Sequence, residues 1–136
     1  MTLPVLITRP GERGVVLAEA LEQAGFTVAT LDVLHLEALP ETPALRSLWL
    51  DFDQYHKVIV VSPFAAECLS LALDRYWPQL PVGIDYYSVG LATAQTLHHQ
   101  LGVQVHVPTG NGGDTSEALL ALPSLRCIDQ QKALIV

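Results

Sequence analysis

Hydroxyl side chains, prolines and glycines recur in this chain where an apolar run gives way to a helical pattern, a placement suited to holding anions. The three places are Val5-Leu6-Ile7-Thr8-Arg9-Pro10-Gly11, Val58-Ile59-Val60-Val61-Ser62-Pro63 and Tyr87-Ser88-Val89-Gly90-Leu91-Ala92-Thr93. In open α/β proteins such turns lie at the carboxyl ends of parallel strands, where unpaired N–H groups of helix starts meet a ligand. A fourth turn, Thr109-Gly110-Asn111-Gly112-Gly113 ahead of Thr115 and Ser116, lacks the lysine of a phosphate-binding P-loop, which argues against a nucleotide there. Donors are plentiful, and no catalytic group declares itself.

The remaining reactive residue types are quieter. Cys68 and Cys127 have no CxxC spacing, and Cys68 falls among apolar residues of a helical pattern, so both read as ordinary thiols. The five histidines, including the adjacent His98 and His99, show no i, i+4 metal-ligand spacing. Tyr86 and Tyr87 read as packing residues. Arg9 either pairs with a ligand carboxylate or is a solvated helix-start arginine. The net charge is −7 and the seven basic residues are scattered, whereas a nucleic-acid binder clusters its cations against phosphates. That acidity repels anions at long range, so an anionic ligand must be held by local donors in a concave site.

The elements that would position these donors follow from periodicity. Pro4–Thr8 reads as a buried strand; Leu17, Ala20, Leu21 and Ala24 then mark a helix closed by Gly25, and Phe26–Leu31 is a second strand. His35-Leu36-Glu37-Ala38-Leu39 alternates and suggests an edge or linker strand, and Pro40-Glu41-Thr42-Pro43 breaks the pattern before a short helix near Ala44–Leu50. Lys57–Val61 is a β-branched strand leading into a helix from Pro63 to about Tyr76, with Ser62 as N-cap and Pro63 at its first position. Tyr86–Val89, a helix striped by Leu91, Ala94, Leu97 and Leu101 and stopped at Gly102, and a strand at Val103–Val107 follow. Asp114 and Glu117 resemble a capping box that opens a helix from Thr115 to about Leu122. The run Ala133-Leu134-Ile135-Val136 has the texture of Val5–Thr8 and reads either as a last strand or as the first strand of a second, similar half.

Alternating strands and helices of these lengths predict an α/β protein with parallel sheets and helices on both faces. Half the residues are hydrophobic and 15% are charged, and 136 residues suffice for one well-buried core. No apolar run approaches the roughly 20 residues that span a bilayer, and the amino terminus has no cationic start before a long apolar stretch. The expectation is a cytoplasmic protein with neither membrane nor nucleic-acid partners.

Five segments together carry a resemblance to a known family. They are Leu6-Ile7-Thr8-Arg9-Pro10, Glu22-Gln23-Ala24-Gly25, Val60-Val61-Ser62-Pro63-Phe64-Ala65-Ala66, Ser88-Val89-Gly90-Leu91-Ala92-Thr93-Ala94 and Gly113-Asp114-Thr115-Ser116-Glu117-Ala118-Leu119-Leu120. In order and rough spacing the chain resembles uroporphyrinogen-III synthases over essentially its whole length. The resemblance implies Rossmann- or flavodoxin-like parallel sheets with flanking helices in two domains joined by a β linker, with the active site in the cleft between them. Residues 1–36 would then be a strand-helix-strand piece of domain one, and residues 37–136 domain two, ending at its last strand. The rest of domain one would lie past Val136, making this chain an incomplete architecture and inactive alone.

The activity so implied is a cofactor-independent cyclisation: hydroxymethylbilane loses water, its last pyrrole inverts through a spiro intermediate, and the macrocycle closes as uroporphyrinogen III. Such a substrate carries many carboxylates, which suits helix-start amides and hydroxyls. The resemblance assigns substrate binding to Arg9, Ser62, Pro63, Gly90, Thr93, Gly113, Thr115 and Ser116, with no metal and no named proton donor. It also implies a monomer for the full-length protein. Two other classes stay open: a non-catalytic anion- or nucleotide-binding α/β module, which the same turns could serve, and an interaction domain whose missing half supplies the function, or a fragment that pairs with itself through an unfinished sheet edge.

Overall fold

The structure, a computed structural model, describes residues 3–108 and 115–136. It divides into two compact units, Met1–Leu39 and Pro40–Val136.

In the first unit β1 (Pro4–Ile7) and β2 (Thr27–Thr30) form a two-stranded parallel sheet linked by α1 (Gly11–Gln23). Gly25, at φ +95°, turns the chain from α1 into β2 as the closing glycine predicts. Gly14 packs against the preceding turn so closely that a Cβ there would lie 2.1 Å from the Arg9 carbonyl oxygen. Among the described residues of this unit only Ile7 and Gly14 are buried, and Leu6, Val15, Val16, Leu31, Val33 and Leu34 stay exposed. Two strands and one helix bury too little apolar surface to make a core of their own.

The expected strand at His35–Leu39 is absent: residues 31–42 form neither helix nor strand. Alternation can favour an extended backbone, but a strand exists only where its N–H and C=O groups find a ladder partner. Among the described residues none pairs with this segment.

The second unit carries a four-stranded parallel sheet in the order β5-β4-β3-β6, from β3 (Lys57–Val60), β4 (Asp85–Ser88), β5 (Val105–His106) and β6 (Ala133–Ile135). β1 and β3 therefore lie in different sheets. β6 pairs with β3, so the carboxyl-terminal apolar run belongs to this sheet. β5 is shorter than its apolar pattern suggests; among the described residues it is an edge with β4 as its single neighbour, and the Val103 carbonyl lies 3.1 Å from His98 Nδ1.

Strand alternation sends Val58, Val60 and Tyr86 to one face, where Ala66, Leu69 and Leu73 of α3 (Pro63–Tyr76) and Leu97 of α4 (Leu91–Leu101) meet them. Trp49, from α2 (Pro43–Leu50), and Phe52 complete this core. Ile59, Tyr87 and Val89 point to the other face and are covered by Leu119 and Leu122 from the region of α5 (Ser116–Leu120) and by Leu125 of α6 (Pro123–Arg126). There Tyr87 is fully buried and its hydroxyl lies 2.6 Å from Ser124 Oγ, while His106 stacks on its ring at 5.0 Å. The helix expected from Thr115 to about Leu122 is α5, ending at Leu120, and α6 is a further short helix past it, where Pro123 opens a new first turn.

Tyr86 packs in the core with its hydroxyl buried and without a hydrogen-bond partner among the described residues. Desolvation raises its pKa from 10.0 to about 12. An unsatisfied buried group costs stability, so Tyr86→Phe is expected to stabilise the unit by about 1 kcal/mol at neutral pH. Because the folded value is the raised one, Tyr86's contribution is complete below pH 10 and is lost as pH climbs from 10.0 towards about 12. Tyr86→Phe should remove that share of the alkaline loss. Lys57, raised chiefly by its hydrogen bond to Asp85, keeps its own share. Urea melts at pH 7 and pH 11 check both parts, and a lower midpoint for Tyr86→Phe at pH 7 would refute the unsatisfied hydroxyl.

Candidate functional site

Parallel pairing puts every carboxyl end of the second unit's sheet on one edge. Val60 pairs with Ser88, so Val61-Ser62 and Val89-Gly90 leave the sheet side by side and turn into α3 and α4. Strand order reverses at β3, with β4 and β5 added on one side and β6 on the other. The helices divide between the two faces at the same place, and open α/β sheets bind ligands at such a switch point. Ser62 follows β3 here, beside Val61, whose N–H donates to the Val136 carbonyl at 3.0 Å.

Ser62 is the N-cap of α3, extended at φ −157°, and its Oγ accepts from the Ala65 N–H at 3.0 Å. Pro63 sits at the first helical position, where its missing N–H costs nothing. Gly90 is the N-cap of α4, with no side-chain cap and no acidic residue in the first turn. Thr93, on that first turn, is 5% exposed, and its hydroxyl has no hydrogen bond among the described residues. Ser88 is fully buried and its Oγ donates to the Gly90 carbonyl at 2.9 Å.

Thr115 and Ser116 are exposed at the start of α5, which packs on the opposite face of the sheet from α3 and α4. Thr115 is the N-cap, accepting from the Ala118 N–H at 3.1 Å, and so takes the role that the sequence suggests for Asp114. Threonine can serve because the N-cap needs only an oxygen that reaches the third amide. Asp114 and Gly113 lie outside the described residues. Arg9 is exposed between β1 and α1, in the other unit. Ser62, Pro63, Gly90 and Thr93 thus share the edge of one sheet, while Arg9 stands on the other unit.

Ser88 is the residue that sequence reasoning passed over. It was visible as a hydroxyl two residues ahead of a glycine N-cap, but nothing in a sequence distinguishes an outward strand-end serine from one turned back onto its own turn.

The other polar features lie elsewhere. Lys57 Nζ donates to Asp85 Oδ2 at 2.5 Å and sits 5.9 Å from the Tyr87 ring centroid, at the amino ends of β3 and β4. A groove of about 420 Å³ lined by Glu41, Thr42, Arg46 and Ser47 opens at the start of α2. Glu41 there accepts from the Tyr76 hydroxyl at the far end of α3, which places the groove away from the carboxyl edge. Among the described residues no group of three or more His, Cys, Asp or Glu is arranged to hold a metal ion. No helix among them is long and apolar enough to cross a membrane.

These features define an open α/β unit with a carboxyl edge rich in uncharged donors, the class that receives anionic small molecules at helix starts. Residues 15–136 match the family described as uroporphyrinogen-III synthase HemD. The chain belongs to the uroporphyrinogen-III synthase family.

Its similarity to curated relatives runs nearly end to end on this chain's side. It is 30% identical over 134 residues to the uroporphyrinogen-III synthase of Salmonella typhimurium, covering 98% of this chain and 54% of the relative. The Escherichia coli synthase is 28% identical over 137 residues, with 98% and 54% covered. That of Proteus mirabilis is 26% identical over 134 residues, with 98% and 66% covered. The chain thus spans about half the length of the first two relatives.

Proposed function

We propose that this chain supplies one wall of the active site of a synthase that cyclises hydroxymethylbilane to uroporphyrinogen III. On this reading residues 1–36 contribute to one domain and 37–136 form the other, in a cytoplasmic monomer whose cleft lies between them. The 136-residue chain alone, with part of its relatives' length unaccounted for, is inactive. The observation that carries the reading is the start of α4, where first-turn amides have no side-chain cap and Thr93, a buried residue, carries a hydroxyl with no hydrogen bond among the described residues.

The chemistry asks for little beyond such donors. Loss of the hydroxyl as water leaves a cation that the substrate's own pyrrole nitrogen stabilises. The protein's task is to hold the linear tetrapyrrole folded so that closure with inversion outruns uninverted closure, which is catalysis by positioning. Helix-start amides and hydroxyls bind the substrate carboxylates without a basic patch, and at short range they overcome the repulsion of the chain's net charge of −7.

Thr93→Ala in the full-length synthase tests this. Losing one hydrogen bond to a charged group is expected to lower kcat/KM by the equivalent of about 1–3 kcal/mol. Ser62→Ala should lower turnover similarly, but it also removes the N-cap bond of α3 and about 1 kcal/mol of stability, so Thr93 is the cleaner probe. Unchanged kcat and KM in a normally folded Thr93→Ala enzyme would remove Thr93 from the site. Tight anion binding with no turnover of hydroxymethylbilane would instead identify a non-catalytic binding module.

A further inference from the structure

The helix starts of the second unit use their hydroxyls in two different ways. Ser62 and Thr115 stand at the N-cap and each occupies an amide, that of Ala65 at 3.0 Å and that of Ala118 at 3.1 Å. Ser88 stands two residues ahead of its helix and occupies none. Its fully buried Oγ donates to the Gly90 carbonyl at 2.9 Å, a carbonyl that also accepts the Ala94 N–H at 3.3 Å. Both bonds draw the Gly90 carbonyl towards the helix and the sheet, leaving the amides of the α4 first turn to face the carboxyl edge.

Glycine's conformational freedom does not explain this turn. Gly90 has φ −100° and ψ 151°, which any residue adopts, and a Cβ there would meet nothing within 4 Å. The turn's shape is therefore held by the hydroxyl behind it. Thr93, a residue only 5% exposed whose hydroxyl has no hydrogen bond among the described residues, adds a donor on the same turn.

We propose that Ser88 is a positioning residue: its bond to the Gly90 carbonyl holds the α4 amides and Thr93 in the arrangement that receives a substrate carboxylate. The proposal rests on the reading that this edge binds the substrate. Ser88 itself is buried and touches no ligand; it acts through the backbone of residues 90–93.

The test follows the amide signals of Leu91, Ala92 and Thr93 in the 136-residue chain during anaerobic titration with uroporphyrinogen III. Wild type is expected to show saturable shifts at these amides. Ser88→Ala is expected to bind about tenfold more weakly, as the loss of one ordered donor turn allows. Amide exchange at residues 91–93 should quicken without ligand, and Ser88→Thr should restore both. Wild type without shifts at these amides would overturn the substrate-edge reading itself. Wild-type shifts with unchanged affinity and exchange in Ser88→Ala would overturn the role of Ser88 alone. If Ser88→Ala does not fold, Ser88→Thr and Ser88→Val, matched in shape, isolate the hydroxyl; equal affinities for that pair would refute the proposal.

Discussion

Phe52→Ala is expected to cost the Pro40–Val136 unit about 3–5 kcal/mol of unfolding free energy. The ring is fully buried and lies 6.3 Å from the Trp49 ring and 6.5 Å from that of Tyr55, both tilted. Truncation leaves a cavity whose walls are held in place. The Trp49 backbone is tied to Trp77, whose Nε1–H donates to the Trp49 carbonyl at 2.7 Å, and the Val58 strand is fixed in the sheet. A small domain has only about 5–15 kcal/mol in total, so the variant should sit near its unfolding threshold. Denaturant titration with an intrinsic tryptophan signal checks it; a loss below about 1 kcal/mol would show that the pocket collapses freely.

Gly14→Ala sets two opposite effects against each other. In an ordinary helix interior, replacing glycine by alanine gains about 0.8–1 kcal/mol. Here the added Cβ would stand 2.1 Å from the Arg9 carbonyl oxygen, a backbone atom that cannot swing aside as a flexible side chain can. Overpacking of this kind costs about 1–3 kcal/mol and sometimes more, so the clash is expected to win and the β1–α1 turn to shift. Amide exchange at Val5–Ile7 should quicken by about tenfold, equivalent to 1.4 kcal/mol. Slower exchange in Gly14→Ala would mean that the helix preference prevails and the close approach is not maintained. Since Arg9 sits on this turn, the same variant displaces the first unit's candidate substrate residue.

Much of the framework was legible in the local chemistry of the sequence. Ser62-Pro63 announced the start of α3 because a hydroxyl N-cap and a proline at the first position act within one turn. Gly25 and Gly102 marked helix ends for an equally local reason, the left-handed backbone at φ +95° and +69°. The β-branched run at 57–61 announced a buried strand, and the alternation of elements announced parallel sheets. The family resemblance rested on the same turns, and with them came the choice of Ser62, Pro63, Gly90 and Thr93.

What remained was decided by pairing across the chain. His35–Leu39 had a strand's alternation and formed none, since a ladder needs a partner that local sequence does not specify. β5 kept two residues of an expected five because it is an edge strand. The placement of the carboxyl-terminal run beside β3, and with it the switch point next to Ser62, depended on contacts between residues 57–59 and 133–135. Ser62 and Thr115 present the same signature in sequence, a hydroxyl just before a helix, yet α3 and α5 cover opposite faces of the sheet. By itself the sequence determined where helices begin and end and which residue types line the turns, because capping and backbone freedom act over three or four residues. Only the tertiary structure decided that Thr93 is a buried residue and that Ser88 turns inward onto Gly90, because burial and hydrogen-bond choice depend on helices packing over a strand end.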